Sequence, residues 1–307
     1  MYDQIARNKR NSLLLFAVFF VFVALVGYVF DYFFIGAGYI GLVAATIFSA
    51  ASGTAAYYTG DKLILAISGA RRIKKDDNPQ LYNIAEEISI SAGLPLPQIY
   101  IIKDDDAPNA FATGRNPSHA SIAVTTALLN RLNRSELQGV IAHEMGHIKN
   151  MDILFATLIG IMVGIVAMMC DFFLRYTRWG FAGSRRRSSN RSGGQAEIIM
   201  LLLALVFAIL APLFAKILQM AVSRQREFLA DSTSALLTRY PEGLASALEK
   251  ISKDPGVLEV SNRATQHLYI VNPISSVEEL RTKRPRGKSL FDTHPPIEER
   301  VKRLRSM

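Results

Sequence analysis

The stretch VIAHEMGHIKN, Val140 to Asn150, sets two histidines four residues apart, with a glutamate directly after the first. On a helix, residues four apart share a face, so His143 and His147 can each aim a ring nitrogen at one ion about 2 Å away. Glu144 falls about 100° further round the helix, beside that ion and free of the need to bind it. A zinc ion there lowers the pKa of its bound water toward about 7, and a neighbouring carboxylate can take the proton as the water attacks a carbonyl carbon. The pattern is moderately specific: a chance match in a chain of this size is on the order of one per cent. Ala142 and Gly146, both small, leave room for substrate and for close helix packing.

A catalytic zinc usually has three protein ligands and one open position. His119 opens a strand and His267 lies in a charged helix, so each reads as a solvated or hydrogen-bonded side chain. Connectivity suggests another ligand. His147 precedes the third of four long apolar runs and Glu227 follows the fourth, so an antiparallel hairpin brings both to one membrane face. In SRQREFLAD, Glu227 and Asp231 are also four apart. One carboxylate can therefore ligate while the other orients a histidine through its second ring nitrogen.

The elements that must position these groups are segregated by polarity. Half of the 307 residues (50%) are hydrophobic and the net charge is +9. The basic residues cluster beside the apolar runs with no interleaved aromatic face, which favours a lipid surface and excludes nucleic acid as partner. Cys170 lies inside an apolar run, so neither a disulfide framework nor a thiolate cluster is expected. Runs 13–30 and 33–57, parted by Asp31 and Tyr32, have the length of membrane helices and predict a tight hairpin. Runs from Ile153 and Ile198 predict a second, with Pro212 as a kink and Lys216 facing protein or the interface. The chain accordingly divides into a membrane hairpin (1–58), a first aqueous segment with the small sheet and the HEMGH helix (59–152), a second hairpin with a basic loop (153–222) and a second aqueous segment carrying Glu227 (223–307).

Within the first aqueous segment, Leu81, Ile84, Ala85 and Ile88 share a helical face that Gly93 ends. QIYII, NAFATG and HASIAVTT, separated by turn-rich pieces, predict three strands of a small sheet. Ser135 with Gln138 fits a capping box opening the HEMGH helix. Helices are expected through REFLADSTSALL, PEGLASALEKISK and PIEERVKRLRS, and GSRRRSSNRSGGQ reads as a solvated loop.

HEMGH before an apolar hairpin, REFLAD after it, NAFATG upstream and FDTHPPIEERV at the end together resemble the HtpX family of membrane zinc metalloproteases, relatives of the CAAX prenyl endopeptidases. The resemblance covers nearly the whole chain, motifs in order. It implies a fold that is α+β and mostly helical: an integral membrane protein with two transmembrane helical hairpins and a gluzincin-type zinc protease domain containing a small β-sheet. It implies one Zn2+ per chain on His143, His147 and Glu227, Glu144 as general base and Asp231 behind the ligands. It also implies membrane-protein or unfolded polypeptide substrates, in quality control under stress. Asn109 would bind substrate on an edge strand or else simply occupy the turn after Pro108; His294 would donate to the oxyanion or else cap the helix begun at Pro295.

Arg7, Lys9, Arg10, Lys62, Arg71, Arg72, Lys74 and Lys75 make the catalytic side cytoplasmic, in a multi-pass protein of the inner membrane. Arg175, Arg178, Arg185, Arg186, Arg187 and Arg191 strain that topology, since full spanning puts them on the opposite face. Either the first helices dominate or the second pair is partly embedded in protein. The alternatives to a quality-control protease are a non-proteolytic membrane scaffold or chaperone of the same fold, in which Glu144 would have no use, and a protease for prenylated peptides.

Overall fold

A computed structural model of the chain describes residues 2–34, 39–162, 164–165, 168, 224–253 and 295–307. It is mostly helical with one small mixed sheet. Helix α1 (Tyr2–Phe34) packs along helix α2 (Ile40–Ile67), with the Phe16 ring seated on Gly53, so the chain doubles back between them. The buried stripe of α1 is Asn8, Ser12, Leu15, Phe19 and Val23, while Leu13, Leu14, Val21 and Leu25 face outward. On α2 the small Ser49, Gly53, Ala56 and Gly60 are buried, and Leu42, Val43, Ile47, Phe48 and Leu63 are exposed. Small residues inside and large apolar ones outside suit a helix whose surroundings are lipid. Among the described residues, α2 is the one helix long and apolar enough to cross a membrane; α1 adds a shorter apolar stretch, Arg10–Leu25.

The break between these helices is displaced from its expected place. α1 continues through Asp31, and α2 runs past Tyr57 to Ile67. A lone aspartate does not stop a helix; the breakers Gly36 and Gly38 come later in the sequence.

The sheet holds β1 (Ala70–Arg72), β2 (Gln98–Ile102), β3 (Ala110–Asn116) and β4 (His119–Thr125) in the order β1-β2-β4-β3. β2 and β4 are parallel and the other pairs antiparallel, which leaves β3 on an edge. The three expected strands are present; β1 is an addition, since Ala-Arg-Arg carries no apolar alternation and is a strand only through its pairing with β2.

Helix α3 (Pro79–Ala92) starts where the Asn78 side chain accepts from the Leu81 amide and ends at Gly93, whose φ is 67°. After the short α4 (Thr126–Arg131) comes α5 (Arg134–Lys149), the central helix and the carrier of HEMGH. Its capping box is Asn133 with Glu136, not Ser135 with Gln138. Asn133 Oδ1 accepts from the Glu136 amide and Glu136 accepts from the Asn133 amide, both at 2.9 Å. Ser246 and Lys250 also donate to Glu136, at 2.7 and 2.8 Å, so a tertiary contact decides between two locally plausible caps. Leu137, Val140, Ile141, Met145 and Ile148 of α5 lie in one core with Ile84 and Ile88 of α3, Ile122 and Val124 of β4, and Leu244 and Leu248.

Helix α6 (Asp152–Met162) opens the third apolar run. Its Ile161 packs on Gly60 and its Thr157 hydroxyl meets that of Thr113 at 2.8 Å, so it leans on α2 and β3. The fourth run, most of the rest of the third and the arginine-rich loop lie outside the described residues, and with them the second hairpin. Helices α7 (Arg224–Thr238) and α8 (Pro241–Lys253) pack on α5, and α9 (Ile297–Leu304) packs on α8 and α7.

Gly139 lets the α8 backbone rest on α5: a Cβ there would fall 2.6 Å from the Leu244 nitrogen. Gly139→Val should therefore destabilise the fold by about 1–3 kcal/mol, seen as a lower unfolding midpoint of the detergent-solubilised protein.

Candidate metal centre and active site

His143 and His147 stand one turn apart on α5, and α7 crosses them where Gly146 meets Ala230. A Cβ on Gly146 would lie 3.2 Å from the Ala230 Cα, so a glycine is what permits this approach. The crossing carries Glu227 to the histidine pair. His143 Nε2 and His147 Nε2 are 3.2 Å apart, and they lie 3.8 and 3.6 Å from the two Glu227 oxygens. A tetrahedral ion with bonds of about 2.0–2.2 Å needs donors about 3.3–3.6 Å apart. The three groups could thus hold one metal ion.

The donor chemistry agrees with the spacing. His143 Nδ1 lies 3.0 Å from Asp231 Oδ1, and His147 Nδ1 lies 3.1 Å from Asp152 Oδ2. With each Nδ1–H donating to its carboxylate, both Nε2 lone pairs point at the same place, as does the Glu227 carboxylate. A cation belongs between them. The metal-free site keeps that charge as a proton. Burial pushes the His147 pKa down, but the Asp152 hydrogen bond and the charges of Glu227 and Glu144 outweigh it and hold the ring up at about 9.

Glu144 is 2% exposed. Burial raises its carboxyl above the ordinary range, against the pull of both histidines and a hydrogen bond from the Ala112 amide of β3. That bond ties the glutamate to the edge strand. Asn109 directly precedes β3; it is buried, with its Oδ1 accepting from the Ala110 amide at 2.9 Å and its own amide donating to Thr125 at 2.8 Å. His119 pairs with Asn116 on the surface. His294 lies outside the described residues.

Three groups of the site were not singled out by sequence reasoning. Arg300 of α9 is fully buried and grips Asp231 with two parallel hydrogen bonds, Nη2 to Oδ1 at 2.6 Å and Nε to Oδ2 at 2.9 Å. Burial favours a neutral Asp231, yet the guanidinium and His143 win and keep its pKa low. Arg300 Nη1 also lies 3.5 Å from Glu227 Oε2. A signal was available: Ile297, Arg300, Val301 and Leu304 share one helical face, so this arginine alone among its basic neighbours sits in an apolar stripe. Asp152 is the second, and Asn8, which donates to it at 2.6 Å, the third. Asp152 reaches back to His147 because Met151, with φ at 62°, turns the chain sharply between α5 and α6.

The model of peptidase family M48 matches residues 75–307. The chain belongs to that family. It is 44% identical over 307 residues to the protease HtpX homolog of Thermoanaerobacter pseudethanolicus, spanning 100% of this chain and 98% of that protein. It is 40% identical over 309 residues to the protease HtpX homolog of Lactobacillus acidophilus, spanning 100% of both. The crystal structure of S. mikatae Ste24p superposes with a TM-score of 0.47 at 19% identity, covering 99% of this chain and 67% of that one. M48 peptidases are metalloproteases, and among the described residues the histidine pair with Glu227 could bind a metal ion.

Because Arg300 neutralises a buried carboxylate, Arg300→Ala should cost about 3–5 kcal/mol of stability, measured by thermal unfolding in detergent. Arg300→Lys should recover only part of it, since an ammonium cannot make both parallel bonds.

Proposed function

We propose that this M48 metalloprotease is a membrane-bound zinc endopeptidase with His143, His147 and Glu227 as ligands and Glu144 as general base. The observation that carries the reading is the convergence of three metal donors beside a buried glutamate that also touches an edge strand. Zinc, when bound, would polarise the scissile carbonyl and lower the pKa of the attacking water. Glu144, made more basic by burial, takes the proton of the water and delivers it to the leaving amine. Asp231 and Asp152 hold the two imidazoles in the tautomer that presents Nε2 to the ion. β3 is the edge strand beside Glu144, and the substrate-binding role of Asn109 goes with the strand it heads. His294 as oxyanion donor rests on the family resemblance and on its place just before α9.

Substrates that must present an extended segment beside a membrane hairpin suit unfolded or damaged membrane proteins, which supports a role in quality control under stress. The basic residues near the start of α1 and following α2 support a multi-pass inner-membrane protein with its catalytic side cytoplasmic. A scaffold without turnover has no use for Glu144, which is intact and placed beside the ligands.

Metal analysis with casein digestion, run on wild type and Glu144→Gln with and without a chelator, tests the assignment. The variant should retain zinc and lose cleavage by at least about a hundredfold; loss of zinc together with activity would contradict the role given to Glu144. A second measurement concerns pH. The metal must displace a proton from His147, so apparent zinc affinity should rise about tenfold per pH unit up to about pH 9 and then level off. The metal-free fold should show the reverse trend: its stabilisation by protonated His147 is full below pH 6.5 and fades as pH rises through about 9.

A further inference from the structure

The M48 match begins at residue 75, so α1 lies wholly outside the segment that defines the family. Yet α1 enters the metal centre. Asn8 is 2% exposed, in a turn of helix whose neighbour Arg10 is exposed, just ahead of the apolar run. Its Nδ2 donates to the backbone carbonyl of Asn150 at 2.9 Å and to Asp152 Oδ1 at 2.6 Å. The other oxygen of Asp152 faces His147 Nδ1 at 3.1 Å, and Nε2 of the same ring points at His143 and Glu227. Arg226 stands further off, with Nε 3.8 Å from Asp152 Oδ1.

The geometry around Asp152 is demanding. A carboxylate one residue into α6, reached through a left-handed Met151, can rotate about its own side-chain bonds unless both oxygens are held. His147 holds one; Asn8 holds the other and the turn carbonyl beside it. One amide group thereby pins both the backbone turn and the carboxylate that orients a metal ligand. Ser12, one turn further along α1, donates to the Asn8 carbonyl at 2.9 Å, so the anchor is continuous with the buried stripe of the membrane helix.

We propose that Asn8 is a positioning residue of the metal centre, acting through Asp152 on His147, so that the first membrane helix is a structural part of the active site. The inference rests on the zinc-site reading above. A consequence is that any displacement of α1 relative to α6 loosens the grip on His147, which makes the metal centre sensitive to how the hairpin is seated.

The test uses the full chain in detergent and measures zinc affinity by competition with a chromophoric chelator, together with the visible spectrum of the cobalt-substituted protein. Asn8→Ala should weaken zinc binding about tenfold, the lower end of what loss of an outer-shell partner does, and alter the cobalt bands. Asn8→Asp has nearly the same shape but replaces the donor by an acceptor, so it should weaken binding at least as much; affinity kept in Asn8→Asp while lost in Asn8→Ala would make Asn8 a space-filler and overturn the proposal. The double variant with Asp152→Ala should bind no worse than Asp152→Ala alone, whereas losses that simply add would show that Asn8 does not act through Asp152. Leu13→Ala, at a position 73% exposed on the outer face of α1, should leave affinity unchanged. A wild-type protein that takes up no zinc overturns the metal reading itself and this inference with it; a wild type that binds zinc beside an unaltered Asn8→Ala overturns this inference alone.

Discussion

Two imidazole lone pairs and a carboxylate brought to within 3.2–3.8 Å of one another repel unless a cation lies between them. Much of the surrounding structure makes that juxtaposition unavoidable. α5 presents both histidines on one face, Gly146 lets α7 approach close enough for Glu227 to join them, and Gly139 lets α8 hold α5 from behind. The carboxylates of Asp152, Glu227 and Glu144 that raise the His147 pKa to about 9 express the same demand for positive charge. Burial intensifies it, since His143, Glu144 and Glu227 are each 3% exposed or less and water screens their charges poorly.

Behind the two histidines run two arms of alike construction. One goes from His143 to Asp231 to Arg300, the other from His147 to Asp152 to Asn8. In each, a carboxylate fixes the ring and a donor from a distant part of the chain fixes the carboxylate. The first arm ends in a charge, which keeps Asp231 ionised despite its burial. The second ends in a neutral amide. Such networks stabilise only when fully satisfied, because a half-paired group in a low-dielectric interior costs more than an apolar replacement. Their function is to specify orientation, and they do so from opposite ends of the sequence, α1 and α9, which makes the centre a product of the whole chain.

The parts of this design legible in the sequence were those set by local spacing. His143, Glu144 and His147 follow from the period of a helix, and the buried face of α3 from Leu81, Ile84, Ala85 and Ile88. β2, β3 and β4 announce themselves by their apolar content and their turns. What was not legible depends on partners far away in the chain. β1 is a strand only because β2 pairs with it, and Asn133 outcompetes Ser135 as cap because Ser246 and Lys250 hold Glu136. Asp152 looked like the boundary of an apolar run, since nothing local reveals that Met151 turns it back on His147. Asn8 is one polar residue among several ahead of the apolar stretch of α1, and only the tertiary fold distinguishes it.

The apolar helices α1, α2 and α6 belong to the same logic as the histidine site. A helix with lipid outside gains nothing from burying its large apolar side chains, so association rests on close packing and on the few polar contacts it can make. α2 supplies the packing with Ser49, Gly53, Ala56 and Gly60, which bring Phe16 of α1 and Ile161 of α6 against its backbone. α1 supplies the polar contact through Asn8, and α6 returns to the sheet through Thr157 and Thr113. Since α6 begins with Asp152 and ends its described length against Gly60, the helix that orients His147 is also the one wedged between the hairpin and the edge strand. One short helix, α6, thus joins the apolar hairpin, the edge strand and the histidine pair.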